Sequence, residues 1–552
     1  MGARDTVDYR VVADHIPIGF FDSSGLTKEL SGIELMEQAR CATAGFVHYG
    51  LQRQDRVLLV APTGPEYLTV LLGCLLGGFV PCTVAAPPRP NDPTSSGVWH
   101  LHAAITAVRP SVVVISDPDL AVAVPAGTPL LTVDELARHG RTPWRALPIP
   151  EPEDVHHIQL TSGSTSAPKA AVLTHANVAA NVGALRVATG LTAHRDRMSS
   201  WLPLYHDMGL VLVLLGLSTG VGLDLMQPVG FVRDPVSWLR HISDRGAAIT
   251  AAPPFAFRAA ADRFRAKGGA QLDLSSLRQA YVGAEPIEVA ILRQFRDTFT
   301  DHGLADTAIV PCYGMAETVL ATTLSAHDHG ATDTSFGRVR WHDVDRATLD
   351  AQQLAQPASP GAPARRIVGC GNPVQGLTLR VTRADGTEAA DGEVGAIGVR
   401  GSSVMAGYLT ADGDLAAPPG GWHETGDLGL RLAGAVHIVG RTKEMLIVRG
   451  RNLPPYDIET VVEEHPLVGA SAVFSYHTDT TTTEQIVAVL ETRAKPADRD
   501  QIYTDVATKV RQVFGLSLAD VRFLPRGGIP RTTSGKRQRQ RLRDAYLRGA
   551  LA

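Results

Sequence analysis

The chain has 552 residues, with 52 Lys and Arg against 56 Asp and Glu, a net charge of −4, and 44 % apolar residues. A chain of this length buries large cores without disulfide or metal staples, and its charge balance excludes a nucleic-acid binder acting through bulk positive charge. Its five cysteines (Cys41, Cys74, Cys82, Cys312 and Cys370) form no CxxC pair, so reduced, mostly buried thiols and a cytoplasmic location are expected.

Along the chain, helices are expected in the LTKEL stretch at 26–30 and in ARCATAGFVHYG at 39–50. Short β-branched runs at 56–61, 111–116, 246–252 and 308–314 read as buried strands. The uncharged run from Tyr67 to Pro88 is long enough to cross a bilayer. Its Gly77-Gly78 pair and its prolines divide it instead into a buried helix to about Leu76 and a strand near Val80–Val84, so no membrane span is expected. The Pro-rich stretches 85–97 and 351–366 read as a surface loop and an exposed insertion. The alternation of strands with helical stretches predicts an α/β fold with largely parallel sheets. From about 375 to 440 short alternating strands predict a small β-rich subdomain. Residues 441–552 carry their own helix and strand signals and read as an α+β domain after a domain spanning 1–440.

Arginine outnumbers lysine heavily: the lysines are Lys28, Lys169, Lys267, Lys443, Lys495, Lys509 and Lys536. Where Arg has replaced Lys almost everywhere, a retained Lys marks a place that uses a compact, flexible ammonium, and three of the seven fall inside motifs. Leu160 to Lys169 reads LTSGSTSAPK: a strand-like HHIQL leads into a hydroxyl- and Gly-rich loop ending in Lys, with a helix expected over VLTHANVAANV. Backbone N–H groups, hydroxyls and one ammonium in such a loop suit phosphates, although the P-loop pattern GxxxxGK[ST] is absent.

Further segments follow in order: WLPLYHDMGL at 201–210, YVGAEP at 281–286, YGMAET at 313–318, HETGDLG at 423–429, GRTKEMLIVRGRNLPPYDIE at 440–459 and PRTTSGK at 530–536. With these on the page, the sequence resembles the adenylate-forming (acyl-activating) superfamily over nearly its whole length. YHDMGL, VGAEP, Ala316 in YGMAET and an insertion at about 325–366 look like the fatty acyl-AMP ligase branch, next to the acyl-CoA synthetases. The resemblance implies a large N-terminal domain of two parallel-type α/β subdomains plus the β-rich subdomain, and a mobile C-terminal domain.

It also implies a chemistry. A carboxylate attacks the α-phosphorus of ATP, pyrophosphate leaves, and a phosphopantetheine thiol, on an acyl carrier protein or CoA, then takes the acyl group from the adenylate. Charge repulsion and positioning dominate such a barrier, so cations and oriented donors are the groups to look for.

By resemblance, Thr161, Ser162, Gly163, Ser164 and Thr165 line the triphosphate with Lys169. Glu317 carries Mg²⁺, with Thr165 a second contact. Tyr313 stacks on adenine within the Gly314-Met315-Ala316 turn, and Gly283-Ala284-Glu285 forms the opposite wall. Asp427 accepts the ribose hydroxyls, Arg441 contacts ribose or phosphate, and Lys536 reaches the α-phosphate and the carboxylate. His206 lines the acyl entrance, and Lys443-Glu444 marks the hinge. Trp201, Met208, Phe255, Phe257 and Tyr281 are expected to line an apolar acyl pocket.

Ser166 and Ala170 stand where the family's STGxPKG has Gly, and a side chain on a left-handed backbone would cost roughly 1–2 kcal/mol. That opens an alternative in which the enzyme works mainly in thioesterification of a preformed adenylate. Another alternative is a catalytically silent nucleotide- or acyl-binding scaffold.

Overall fold

A computed structural model describes residues 6–7, 16–139, 149–161, 168–267, 271–326, 329–448, 451–476, 484–532 and 535–551. Two large sheets dominate. The first has nine strands, with Arg197–Ser200, Gly222–Met226, Ile249–Ala252, Gln279–Val282 and Ile309–Gly314 joined in parallel. The second has eight, built on parallel Arg56–Val60, Val80–Val84 and Val112–Ile115. All four residues of Val112–Ile115 are buried, as the continuous apolar run of a parallel strand covered on both faces requires.

Local signals set the helix ends. Ser31 and Glu34 form a reciprocal cap on helix Gly32–Tyr49, and Thr174 and Asn177 do the same for His175–Thr189. The apolar helix Pro65–Gly77 stops at Gly78 (φ 71°) and strand Val80–Val84 follows, so this uncharged run folds as a helix–strand unit. Among the described residues no helix is long and apolar enough to cross a membrane.

Two expectations are corrected. The LTKEL stretch lies in strand Gly25–Ser31, which pairs antiparallel with Pro17–Asp22; its run of exposed residues fits its place at the edge of the sheet. The segment after the phosphate-type loop begins with strand Lys169–Thr174, antiparallel to Val155–Thr161, and helix His175–Thr189 only follows it. The loop therefore closes a β-hairpin. Ala170 is a buried member of this strand, paired with Leu160 and Leu409, and its backbone is not left-handed. The strain considered for Ala170 is absent, and Ser166 lies outside the described residues.

Strands Leu377–Thr382, Gly395–Gly401, His423–Leu432 and Ala435–Arg441 form one four-stranded sheet. A smaller core then gathers around Ile458, Val473, Ala488, Val506 and Val521 in the C-terminal part. The 351–366 stretch is mostly exposed, as expected, and regular structure flanks it. Strands Val339–Asp345 and Ala364–Val368 pair, and helix Arg346–Gln352 buries Leu349 and Asp350. This unit grips the C-terminal part through buried charges. Asp457 faces Arg365 (2.9 Å) and Arg346 (3.4 Å), and Asp350 meets Arg451 at 2.8 Å. The Arg346 guanidinium also lies over the Phe514 ring, 4.7 Å from its centre.

Candidate active site

The site lies at the C-terminal end of strand Ile309–Gly314, where the parallel part of the first sheet gives way to antiparallel pairing with Ala321–Leu324. Gly314 is required there: a Cβ would come within 1.9 Å of the Leu320 carbonyl oxygen. The Ala316–Thr318 turn then carries Glu317, and Val319 closes it at φ 70°, ψ −58°. A β-branched residue rarely adopts that γ-turn geometry, so the turn is held by its surroundings. Met405 donates its N–H to the Glu317 carbonyl at 2.8 Å.

Tyr313, Asp427 and Arg441 form one cluster. The Tyr313 hydroxyl donates to Asp427 Oδ2 at 2.7 Å, and Arg441 Nε meets Oδ1 at 2.9 Å. Asp427 and Arg441 face each other across paired strands, so register alone brings them together. Asp427 is buried, and burial followed by the Asp427 charge raises the Tyr313 phenol well above its ordinary range. Each carboxylate oxygen has spent one acceptor site on its neighbour and keeps a second.

Beside it, Tyr408 donates its hydroxyl to Glu317 Oε1 at 2.5 Å, while the Lys169 ammonium sits over the Tyr408 ring, 4.8 Å from its centre. Burial foremost, then Glu317, raises the Tyr408 phenol. His423 joins this group; burial lowers its pKa against the pull of Glu317. Sequence reasoning assigned no role to Tyr408 or His423. The GYL around Tyr408 looks like any short strand, and the residue reaches the site only because Gly407–Leu409 pairs with Lys169–Thr174.

The C-terminal loop reaches the same cleft. Burial pushes the Asp207 carboxyl up, and the Lys536 charge pulls it back. Glu285 behaves alike, raised by burial and lowered first by Lys536 and then by Arg537. Lys536 is therefore close enough to act on carboxylates from two segments of the large domain. Its loop is pinned behind it: Arg537 and Arg539 both bind the fully buried Glu459, whose carboxyl they hold well below its ordinary range. Asp207 was read only as part of a motif. Its neighbour His206 precedes helix Asp207–Thr219 as its N-cap, with its ring tilted against Tyr205.

Ala284, exposed and at φ 67°, follows strand Gln279–Val282 beside the paired strand that carries Tyr313, next to Glu285. A Cβ on Gly283 would come within 2.7 Å of the Cys312 carbonyl oxygen, so this segment approaches the neighbouring strand closely. Thr161 ends strand Val155–Thr161 at the rim, paired with Lys169. Ser162, Gly163, Ser164 and Thr165 lie outside the described residues. Lys443 and Glu444 sit in the turn Thr442–Glu444 that leaves the four-stranded sheet.

An apolar cleft opens below Tyr313 and Ala284. Met208 and Tyr281 line it, but Trp201, Phe255 and Phe257 do not. Trp201 stacks on Phe231 at 3.8 Å, Phe255 meets Trp201 edge-on and is 42 % exposed, and Phe257 is fully buried between Trp238 and Phe295. Aromatic–aromatic packing took these three side chains, which composition alone did not distinguish from pocket lining. Cys312 lines the cleft with a thiol that burial pushes up, the opposite of an activated nucleophile.

Among the described residues no group of three His, Cys, Asp or Glu side chains could hold a metal. The available set is one carboxylate, Glu317, held at one oxygen. That fits Mg²⁺, which takes one or two protein carboxylates and completes its shell with phosphates and water.

The model of the AMP-binding enzyme family matches residues 3–409. The long-chain-fatty-acid–AMP ligase FadD26 of Mycobacterium marinum is 30 % identical over 556 residues, 95 % of this chain and 92 % of that protein. FadD32 of Mycolicibacterium smegmatis, also named a long-chain-fatty-acid–AMP ligase, is 30 % identical over 605 residues, covering 98 % and 93 %. A solved structure of fatty acyl-adenylate ligases from E. coli and L. pneumophila superposes with a TM-score of 0.89 at 30 % identity, covering 99 % of this chain and 97 % of that one. The convergence of the Tyr313–Asp427–Arg441 cluster, Glu317 and Lys536 on one cleft agrees with these likenesses: the chain belongs to the AMP-binding enzyme family and is a ligase.

Proposed function

We propose that the protein is a fatty acyl-AMP ligase: it joins a hydrophobic carboxylic acid to ATP as an acyl-adenylate and passes the acyl group to a phosphopantetheine thiol. The observation that carries this reading is the Tyr313–Asp427–Arg441 cluster, closed by a 2.7 Å hydrogen bond and a 2.9 Å ion pair, beside an apolar cleft that Tyr313 and Asp207 line. The acyl chain enters the cleft and its carboxylate stays at the charged mouth. The adenosine lies against Tyr313, with the ribose hydroxyls donating to the free acceptor sites of Asp427. Lys536 neutralises the α-phosphate as the carboxylate oxygen attacks and the bond to pyrophosphate breaks. Lys169, Thr161 and the hydroxyls of Ser162, Ser164 and Thr165 attend the leaving phosphates. The acid is already ionised near neutral pH, so His206 has no proton to remove and shapes the entrance.

Glu317 would hold Mg²⁺, whose charge offsets that of the phosphates; Tyr408 orients the carboxylate for it. The turn 442–444 serves as the hinge between the two half-reactions.

The acceptor proposed is a carrier-protein phosphopantetheine rather than free CoA. Three buried charge contacts and the Arg346–Phe514 contact tie the 335–368 unit to the C-terminal part. A domain so tied departs from its adenylation position at a cost, and a docked carrier protein brings interface energy to meet that cost where a small thiol brings little.

ATP–pyrophosphate exchange with a panel of saturated fatty acids tests the first step, and thioester formation with holo-carrier protein against CoA tests the second. Acid-dependent exchange lost in Lys536→Ala is the expected result. Exchange unaffected by Lys536→Ala would refute the reading, and so would its absence with every acid. Robust exchange would also dispose of an enzyme restricted to the second half-reaction.

A further inference from the structure

The cleft has an end. Asp207, Met208, Leu212 and Leu215 of helix Asp207–Thr219 line it from mouth to depth. Opposite them stands Tyr281, central in strand Gln279–Val282. Its hydroxyl donates to Oε1 of Gln279, two residues earlier on the same strand face, at 2.9 Å. The ring therefore lies back along the strand, toward the end away from Gly283 and Ala284. Gln279 Nε2 in turn donates to the Ala188 carbonyl at 3.5 Å, at the last turn of helix His175–Thr189. Strand, ring and helix end make a fixed floor. Asp207, at the mouth, is the only charged residue among the lining. The Tyr281 hydroxyl proton is committed to Gln279, and the Thr189 hydroxyl proton to the Arg186 carbonyl at 3.3 Å. The floor thus presents neither a cation nor a spare donor to a polar chain terminus.

The depth sets a length. Eight residues separate Asp207 from Leu215, about 12 Å at 1.5 Å per residue. With carbon–carbon bonds of about 1.5 Å in a zigzag, roughly ten carbons fill that distance.

We propose that Tyr281, braced by Gln279, is the stop of the acyl cleft, so that the protein selects unbranched, methyl-terminated fatty acids of about ten carbons and rejects longer chains and dicarboxylic acids. This rests on the adenylation reading above. Each methylene beyond the floor has no space and should cost about tenfold or more in kcat/KM.

The test is a competition among saturated acids of six to eighteen carbons and decanedioic acid, with ATP and full-length protein, reading each acyl-adenylate by mass. Wild type should peak near decanoate, fall at least 100-fold by hexadecanoate and ignore the diacid. Tyr281→Phe keeps the ring and should keep the cut-off. Tyr281→Ala should move the cut-off about four carbons longer. Hexadecanoate used as well as decanoate by wild type overturns the stop while leaving the ligase reading intact, and so does an unmoved cut-off in a folded Tyr281→Ala. Should that variant not fold, the wild-type length profile decides alone. No adenylate from any acid overturns the ligase reading and the stop with it.

Discussion

Asp457→Asn is the sharpest perturbation of the grip between the 335–368 unit and the C-terminal part. The Asp457 side chain is 7 % exposed and faces Arg346 and Arg365, themselves 13 % and 9 % exposed. Asn keeps the shape and removes the charge, leaving two enclosed guanidinium groups without their counter-ion. Breaking a buried pair this way costs about 3–5 kcal/mol. The lower end applies, because Arg365 keeps the Val439 carbonyl at 2.6 Å and Arg346 keeps the Phe514 ring. A loss of about 3 kcal/mol shifts the docked-to-undocked ratio by about 100-fold. Asp457 also lies in the first turn of helix Pro455–Glu463, where its charge contributes only about 0.3–1 kcal/mol to the helix itself. The helix should therefore stay folded while the domain loosens. Hydrogen exchange should speed up at the contact residues 346–352 and 451–457, with the 485–492 strand unchanged. Thioester formation with free CoA should rise relative to holo-carrier protein. Unchanged exchange and an unchanged acceptor ratio in a folded variant would refute the argument that these charges restrain the domain.

Tyr408→Phe removes the hydroxyl on Glu317 but keeps the ring under Lys169; a hydrogen bond to a charged group is worth about 1.5–3 kcal/mol. The half-saturating Mg²⁺ concentration should rise 10-fold or more, and direct Mg²⁺ titration of the ATP complex checks the same point apart from turnover. Glu459 has its carboxyl lowered to about 2 by Arg539 and Arg537 against the opposing effect of burial. A depressed carboxylate stabilises the fold fully above its unfolded value near 4.5, and the contribution is lost as pH falls from there toward 2. Wild-type Tm should therefore drop steeply below pH 4.5, while Glu459→Gln should melt lower at pH 7 and show a shallower acid slope. Lys443→Pro fixes φ in the 442–444 turn; pyrophosphate exchange should persist within a few-fold while thioester formation falls at least tenfold.

What the sequence made legible was local in character. Strand Val80–Val84 and the Gly78 stop follow from a few adjacent residues; Tyr313, Asp427 and Lys536 stood out because each sits in a short motif, and the structure joins Tyr313 to Asp427. What it hid depends on pairing between distant segments. The Lys169–Thr174 stretch is a strand because Val155–Thr161 and Gly407–Leu409 flank it, and no pattern within AAVLT distinguishes that from the approach to a helix. Phe257 and Tyr281 carry the same apolar signal; only the positions of Trp238 and Phe295 decide that one is core and the other lines a cleft. The 351–366 stretch is rich in Pro, Gly and Ala and mostly exposed, yet Arg365 within it and Asp350 beside it are buried against Asp457 and Arg451, about a hundred residues later.

Those charges bear on where the molecule can bend. Arg441 is fastened to Asp427 across the four-stranded sheet at 2.9 Å. Glu444, three residues on, is fastened to Arg539 at 2.7 Å, and Arg539 shares the buried Glu459 with Arg537 beside Lys536. One anchor belongs to the Tyr313–Asp427 cluster and the other to the platform behind Lys536. A rotation that preserves both must be absorbed by Thr442 and Lys443, so Glu444 travels with Lys536 rather than acting as the pivot. On this argument Lys536 would withdraw from the Asp207–Glu285 mouth together with Glu444, Arg537 and Arg539, as one rigid body.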